Sequence, residues 1–177
     1  MQTQISAIYL TPKGPQEITL FGYDSKSIPG IEIVGLKHFG KIIKEKFIFL
    51  SRSRNLKIPL KKYTLCCESF PQDIDVINYV WLEFPLLLLY WSLSEQIKIK
   101  SLDQCYASGS ITPQGEIQIL NFDSKFKNSK KISINIPENL SDANSTDQPN
   151  SLIDARELLQ HIPQIKFCSF SAPIMPS

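Results

Sequence analysis

The fold class this sequence predicts is α+β, with helices packed on a mixed β-sheet, and three observations carry it. Segments assigned from local pattern run strand, strand, strand, helix, strand, helix, hairpin, strand, helix, an order that neither alternates strictly nor keeps to one kind. The apolar spacing changes at Leu36 from the period of a strand to intervals of three and four. The most apolar stretch, FPLLLLYWSL from Phe84 to Leu93, is ten residues long and flanked by Glu83 and Glu95. A membrane-spanning helix needs about 20 apolar residues, so this one is expected to be the buried centre of a globular core.

The elements follow in order. ISAIYL and EITLFGYD read as two strands joined by the Pro and Gly of TPKGPQ, a β-hairpin. IPG makes a second turn and IEIVG a short third strand, with Pro29 and Gly30 forming the tight lead-in and Gly35 letting the backbone pass close to the helix beside it. From Leu36 the residues Leu36, Phe39, Ile43, Phe47 and Leu50 line one helical face, while Lys37, Lys41, Lys44 and Lys46 fall largely between them, predicting an amphipathic helix of about four turns. LKKYTLCCE returns as a strand. The loop SFPQDID then leads to the Leu-rich helix, where Pro85 suits the first turn because no intrahelical donor is needed there. QCYASGSI and EIQIL, separated by TPQG, predict another hairpin, and KISINI a short strand. Residues 138–150 are a polar connection, after which Ser151 caps an expected helix over LIDARELLQHI. A single domain is expected over residues 1–162, followed by an irregular tail, 163–177, that carries three prolines and has no clear periodicity.

The composition is that of an ordinary globular chain: 177 residues, 42% hydrophobic and 20% charged, enough apolar side chains for one sizeable core. A net charge of +2 hides a marked segregation. From Lys37 to Lys62 there are nine Lys or Arg and one acidic residue, Glu45, a local balance of +8 that leaves −6 for the remainder. The first residues, MQTQISAIYL, have no basic region before a long apolar run and no small-residue cleavage site, so no secretory signal is expected and the cytosol is the expected compartment. Cys66, Cys67, Cys105 and Cys168 show no C-x-x-C spacing, and His38 and His161 are far apart, so no zinc site, other metal site or disulfide framework is expected. Adjacent Cys66 and Cys67 should point to opposite faces of a strand.

Several local words, taken together, resemble the amino-terminal domain of the magnesium-chelatase-related ComM family. IPGIEIVGL, a basic amphipathic helix and IPLKKYTL follow that domain's opening; EFPLLLLYWSLSEQIKIKSLDQCYASGSITPQGEIQIL follows its Leu-rich helix, helix end and hairpin. The resemblance runs from about Ile5 to Leu120. It implies a Lon-protease-like fold, related to domain two of the small-subunit ribosomal protein numbered five. The chain departs from the family at CCESFPQDIDVINYVW and after Leu120, and a stand-alone domain without the family's ATPase module is expected. No G-x-x-x-x-G-K-[ST] phosphate loop is present, so no nucleotide cofactor is expected and the usual backbone cradle for ATP hydrolysis is missing.

Three functions follow as expectations. The first is a non-enzymatic binding or assembly module, with a separate ATPase subunit or another protein as partner and a sheet edge or the basic face as contact. The second is non-specific nucleic-acid binding, with Lys41, Lys44, Arg52, Arg54, Lys57, Lys61 and Lys62 on phosphates; the resemblance favours it, because ComM proteins act on DNA. The third is a degenerate Ser-Lys peptidase, as in Lon-like proteases. It is disfavoured because Trp81, Leu82 and Glu83 stand where the serine would be, and Lys125, roughly where the lysine would be, lies among loop residues. Asp73 and Asp75 share a loop and supply two carboxylates, too few alone for a cation cage.

Overall fold

The computed structural model describes residues 1–11, 13–68, 79–96, 99, 102, 105–121, 132–133 and 167–171 of the 177. The chain opens with β1 (Gln2–Thr11) and β2 (Gly14–Ser25), antiparallel from the pair Gln2 and Tyr23 to the pair Thr11 and Gly14. Gly14 closes this hairpin at a φ of +110°, a conformation that costs a side-chain-bearing residue strain, and its carbonyl accepts from the Thr11 hydroxyl at 2.8 Å. β3 (Gly30–Val34), α1 (His38–Ser53) and β4 (Lys62–Cys67) form a crossover unit in which β3 runs parallel to β4. A 3₁₀ turn at Tyr79–Leu82 leads into α2 (Glu83–Ser94), whose first turn accommodates Pro85 as expected. Then come β5 (Cys105–Ala107), β6 (Gly109–Ile111), β7 (Ile117–Asn121), β8 (Ile132–Ser133) and β9 (Phe167–Ser171).

Among the described residues two sheets result, a mixed six-stranded one ordered β3-β4-β2-β1-β5-β8 and a three-stranded one ordered β6-β7-β9. The chain is therefore a mixed α+β protein. Two expectations are corrected. QCYASGSI is not one strand: the backbone leaves the large sheet after Ala107, passes buried Ser108, and joins the second sheet as β6. The expected irregular tail contains β9, parallel to β7; five residues with two serines show no alternation, and only the distant partner edge makes them a strand. The expected helix over LIDARELLQHI, the 138–150 connection, most of KISINI and the loop carrying Asp73 and Asp75 lie outside the described residues.

α2 is apolar all round because it is covered all round. Leu86, Leu87, Leu88, Leu89, Tyr90 and Trp91 have no exposed surface. Two glycines show how closely both sheets approach it. A Cβ on Gly22 of β2 would stand 3.0 Å from Leu93 Cδ1, and one on Gly109 of β6 would stand 3.0 Å from Phe84 Cβ. Burial of each of the four leucines contributes roughly 1.5 to 3 kcal/mol before entropy is charged against it. α1 adds Phe39, Ile43, Phe47 and Leu50 to the same core, with Phe47 stacked on Tyr90 at 5.9 Å and Tyr90 edge-on to Tyr63 at 5.4 Å.

The glycines near α1 play different parts from those expected. Gly35 adopts a φ of +95°, and a Cβ there would come within 2.7 Å of the Cys67 carbonyl, so the close neighbour is β4 rather than the helix. The close approach of helix to strand is made by Gly40, where a Cβ would stand 2.9 Å from the Ile33 carbonyl oxygen. Gly30 does not need to be glycine for space: a Cβ would meet nothing within 4 Å, and its amide simply begins β3 by donating to the Lys61 carbonyl. Pro29 lies in the bend ahead of it.

Candidate binding site

Where α1, α2 and β6 converge, Lys46 and Glu83 meet. Glu83 is the first residue of α2 and is completely buried. Lys46 Nζ donates to Glu83 Oε1 at 2.6 Å and to the Ile111 carbonyl at 3.1 Å, while the Ile111 amide donates to Glu83 Oε2 at 2.7 Å. Both carboxylate oxygens are thus satisfied, as a buried charge requires. Burial pushes the Glu83 carboxyl up from its usual range, against the opposing pull of the Lys46 hydrogen bond, the Ile111 amide and the Lys46 charge. Chemically the amine is held by a carboxylate rather than by a hydroxyl, so the pair ties three elements together and presents no activated nucleophile.

Beside this pair lies an open groove of about 510 Å³, with α1 contributing Lys41, Ile42, Glu45, Lys46 and Phe49, the end of β6 contributing Ile111 and the turn to β7 contributing Thr112 and Pro113. Ile42 and Phe49 stand on the outer side of α1 at 42% and 53% exposure. These side chains lie seven residues apart, two helical turns, and so share one flank of the helix.

The structure distributes the seven predicted phosphate-contacting residues. Lys41 lines the groove and is exposed; Arg52 is exposed in the last turn of α1; Lys57 is exposed beyond it, its carbonyl accepting from Gln96 Nε2. Lys44 is half-buried, with Glu32 within its field. Arg54 is half-buried against the β6–β7 turn, where a Cβ on Gly115 would stand 3.5 Å from its guanidinium. Lys61 pairs with Asp24 at 2.8 Å and Lys62 with Glu32 at 2.8 Å. The Lys61 bond is the main cause holding the Asp24 carboxyl down at about 2, with the amino-terminal amine of Met1 as second partner. The Lys62 bond lowers Glu32 in the same way.

Of the residues weighed for catalysis, Trp81 is half-buried, Leu82 and Glu83 are buried, and Lys125 lies outside the described residues, as does His161. His38 begins α1, exposed, its ring centroid 3.9 Å from that of Phe39. Cys66 and Cys67 are free thiols, and Cys67 is buried while Cys66 is partly exposed, the alternation expected of adjacent strand residues. Among the described residues no group of three or more His, Cys, Asp or Glu is placed to hold a metal ion, and no helix is long and apolar enough to cross a membrane.

Sequence pattern does not reveal the Lys46–Glu83 pair, because a lysine on an amphipathic helix reads as part of its polar face. The signal was present: position 46 falls three after Ile43 and four before Leu50, inside the apolar arc, and Glu83 is a lone carboxylate within YVWLEFPLLLL. A carboxylate so placed needs a cation. Comparison with known proteins finds no matching family model and no matching curated protein.

Proposed function

We propose that this protein is a non-enzymatic binding or assembly module of Lon-protease-like fold, related to the amino-terminal domain of the ComM family, that docks a partner protein in the groove between α1 and the β6–β7 turn. The observation that carries the reading is the pair of half-exposed apolar side chains, Ile42 and Phe49, set over an apolar groove on an otherwise charged helix. The hairpin, the β3–α1–β4 crossover and the buried α2 support the proposed kinship. The engagement of Lys46 with Glu83, at the start of the helix where a Lon-like serine would stand, supports a role without bond cleavage. A separate ATPase subunit is one partner that fits such a module. Free thiols at Cys66 and Cys67 suit a reducing compartment such as the cytosol.

A second reading, non-specific nucleic-acid binding, draws on a different observation. Lys41, Lys44, Arg52 and Lys57 have no carboxylate within 4.0 Å among the described residues, leaving charge for phosphates. Affinity purification from the native cell, with and without nuclease, separates the two. A partner retained after nuclease by the wild type and lost with Phe49→Glu supports the docking module. Loss of all association on nuclease treatment supports the second reading and removes the first.

A further inference from the structure

The face of the six-stranded sheet turned away from α2 has a composition the docking groove does not explain, and the geometry points to a second site there, one that binds an unpaired nucleic-acid strand by stacking bases on Phe21 and Tyr23. This inference stands apart from the docking groove and from Lys41, Arg52 and Lys57. The register sets two rows of side chains across that face: Gln4, Phe21, Cys66 and Val34, then Gln2, Tyr23, Thr64 and Glu32. Phe21, Tyr23 and Val34 are 38%, 43% and 45% exposed, and an open cleft of about 450 Å³ is lined by Gln2, Thr3, Gln4, Phe21, Gly22 and Tyr23. The open part of the face has a boundary, since Ser6, Ile8 and Tyr106 further along are buried.

Three features argue for a base as the occupant. The two rings are two residues apart on one strand, about 6.6 Å at 3.3 Å per residue, on a backbone that Gly22 between them seats close against Leu65 and Leu93 beneath. A pair at that spacing accepts two successive unstacked bases. Each ring stands directly opposite a glutamine on β1, Phe21 opposite Gln4 and Tyr23 opposite Gln2, within the reach of a cross-strand pair. Amides beside apolar rings match a ligand with apolar faces and hydrogen-bonding edges, whereas an apolar peptide face would leave those amides unserved. The charge at the Tyr23 end is cationic in balance: Lys61 and Lys62 are held by Asp24 and Glu32, with Glu95 also within the field of Lys61, while the Met1 amine beside Asp24, exposed Lys26 three residues after Tyr23, and Lys44 near Glu32 add charge beyond those pairs. That end suits a phosphate backbone leaving the rings.

Fluorescence anisotropy of the full chain with labelled oligothymidylate and oligouridylate of about 15 nucleotides, and with a duplex of equal length, tests this. The single strands are expected to bind more tightly than the duplex. Phe21→Ala/Tyr23→Ala is expected to weaken single-strand binding by about ten-fold or more, since stacking contributes at each base, with Tyr23→Phe retaining it. Both rings are half-exposed, so an unchanged circular dichroism spectrum shows that the variant still folds. Absence of single-strand binding at low salt overturns the inference. So does binding that ignores the double substitution, or a duplex bound as tightly as the single strand. Loss of binding on Lys41→Ala/Arg52→Ala/Lys57→Ala, with the aromatic variant unaffected, also overturns it and credits those three cations instead.

Discussion

Lys46 Nζ lies 2.6 Å from Oε1 of the fully buried Glu83, and the two are joined on their free sides by the amide and carbonyl of a single residue, Ile111. One strand residue thereby completes both halves of an ion pair between two helices. The arrangement fixes the wall of the groove, because Lys46 and Ile111 both line it.

The pair predicts an asymmetric double-mutant cycle. Lys46→Met strands a carboxylate without solvent and is expected to cost about 3 to 5 kcal/mol. Glu83→Gln keeps an acceptor for the Ile111 amide and leaves an amine whose side chain is 30% exposed and able to turn toward water, so a loss of about 1 to 2 kcal/mol is expected. Lys46→Met/Glu83→Gln removes both charges and should lie within about 1 kcal/mol of the wild type. Urea denaturation of the four proteins measures the coupling.

The glycines predict a contrast within five residues. Gly35→Ala meets both a φ of +95° and the Cys67 carbonyl, and is expected to destabilise by about 2 kcal/mol or more. Gly30→Ala meets nothing within 4 Å and is expected to be neutral or to stabilise by about 0.4 to 1 kcal/mol through the unfolded chain. Thermal melts of the two variants distinguish them.

The acid limb of stability should carry the signature of Asp24. Its carboxyl is lowered to about 2 by Lys61 and the amino-terminal amine, so its contribution is complete above the unfolded value near 4 and is lost as pH falls through about 2. Glu83 has the opposite sign. Burial raises its pKa, so the folded state holds that proton more tightly and stability falls as pH rises from the ordinary carboxylate value through the raised one. Melting temperatures from pH 2 to 6 should therefore show a smaller acid loss for Asp24→Asn, and a smaller decline above pH 4.5 for Lys46→Met/Glu83→Gln.

Thiol chemistry should separate the neighbours Cys66 and Cys67. Burial raises both, Cys67 up to about 12 and Cys66 less, and only Cys66 is partly exposed. Labelling by iodoacetamide under native conditions is expected to modify Cys66 first, with Cys67 and buried Cys105 reacting on the timescale of unfolding.

Much of the fold was legible because it is local. The period change at Leu36 marks α1, and the run from Phe84 marks a helix buried on every side. The split of QCYASGSI between two sheets was not legible, because nothing in Ala107, Ser108 and Gly109 alone announces a change of partner. Gly109 acquires its meaning only against Phe84 and Gln118. The candidate site was half legible. Charge clustering drew attention to α1, but the lysine that matters to its architecture is the one whose carboxylate lies 37 residues away, and two of the predicted phosphate contacts, Lys61 and Lys62, are engaged by Asp24 and Glu32.

The most direct test of the account compares partner capture, after nuclease treatment, by the wild type, Phe49→Glu and Lys46→Met/Glu83→Gln. If the groove docks a partner and the ion pair is a strut, the charge-free double variant retains the partner and Phe49→Glu loses it. A folded double variant that loses the partner while Phe49→Glu keeps it would show that the charges, and not the apolar groove, do the binding.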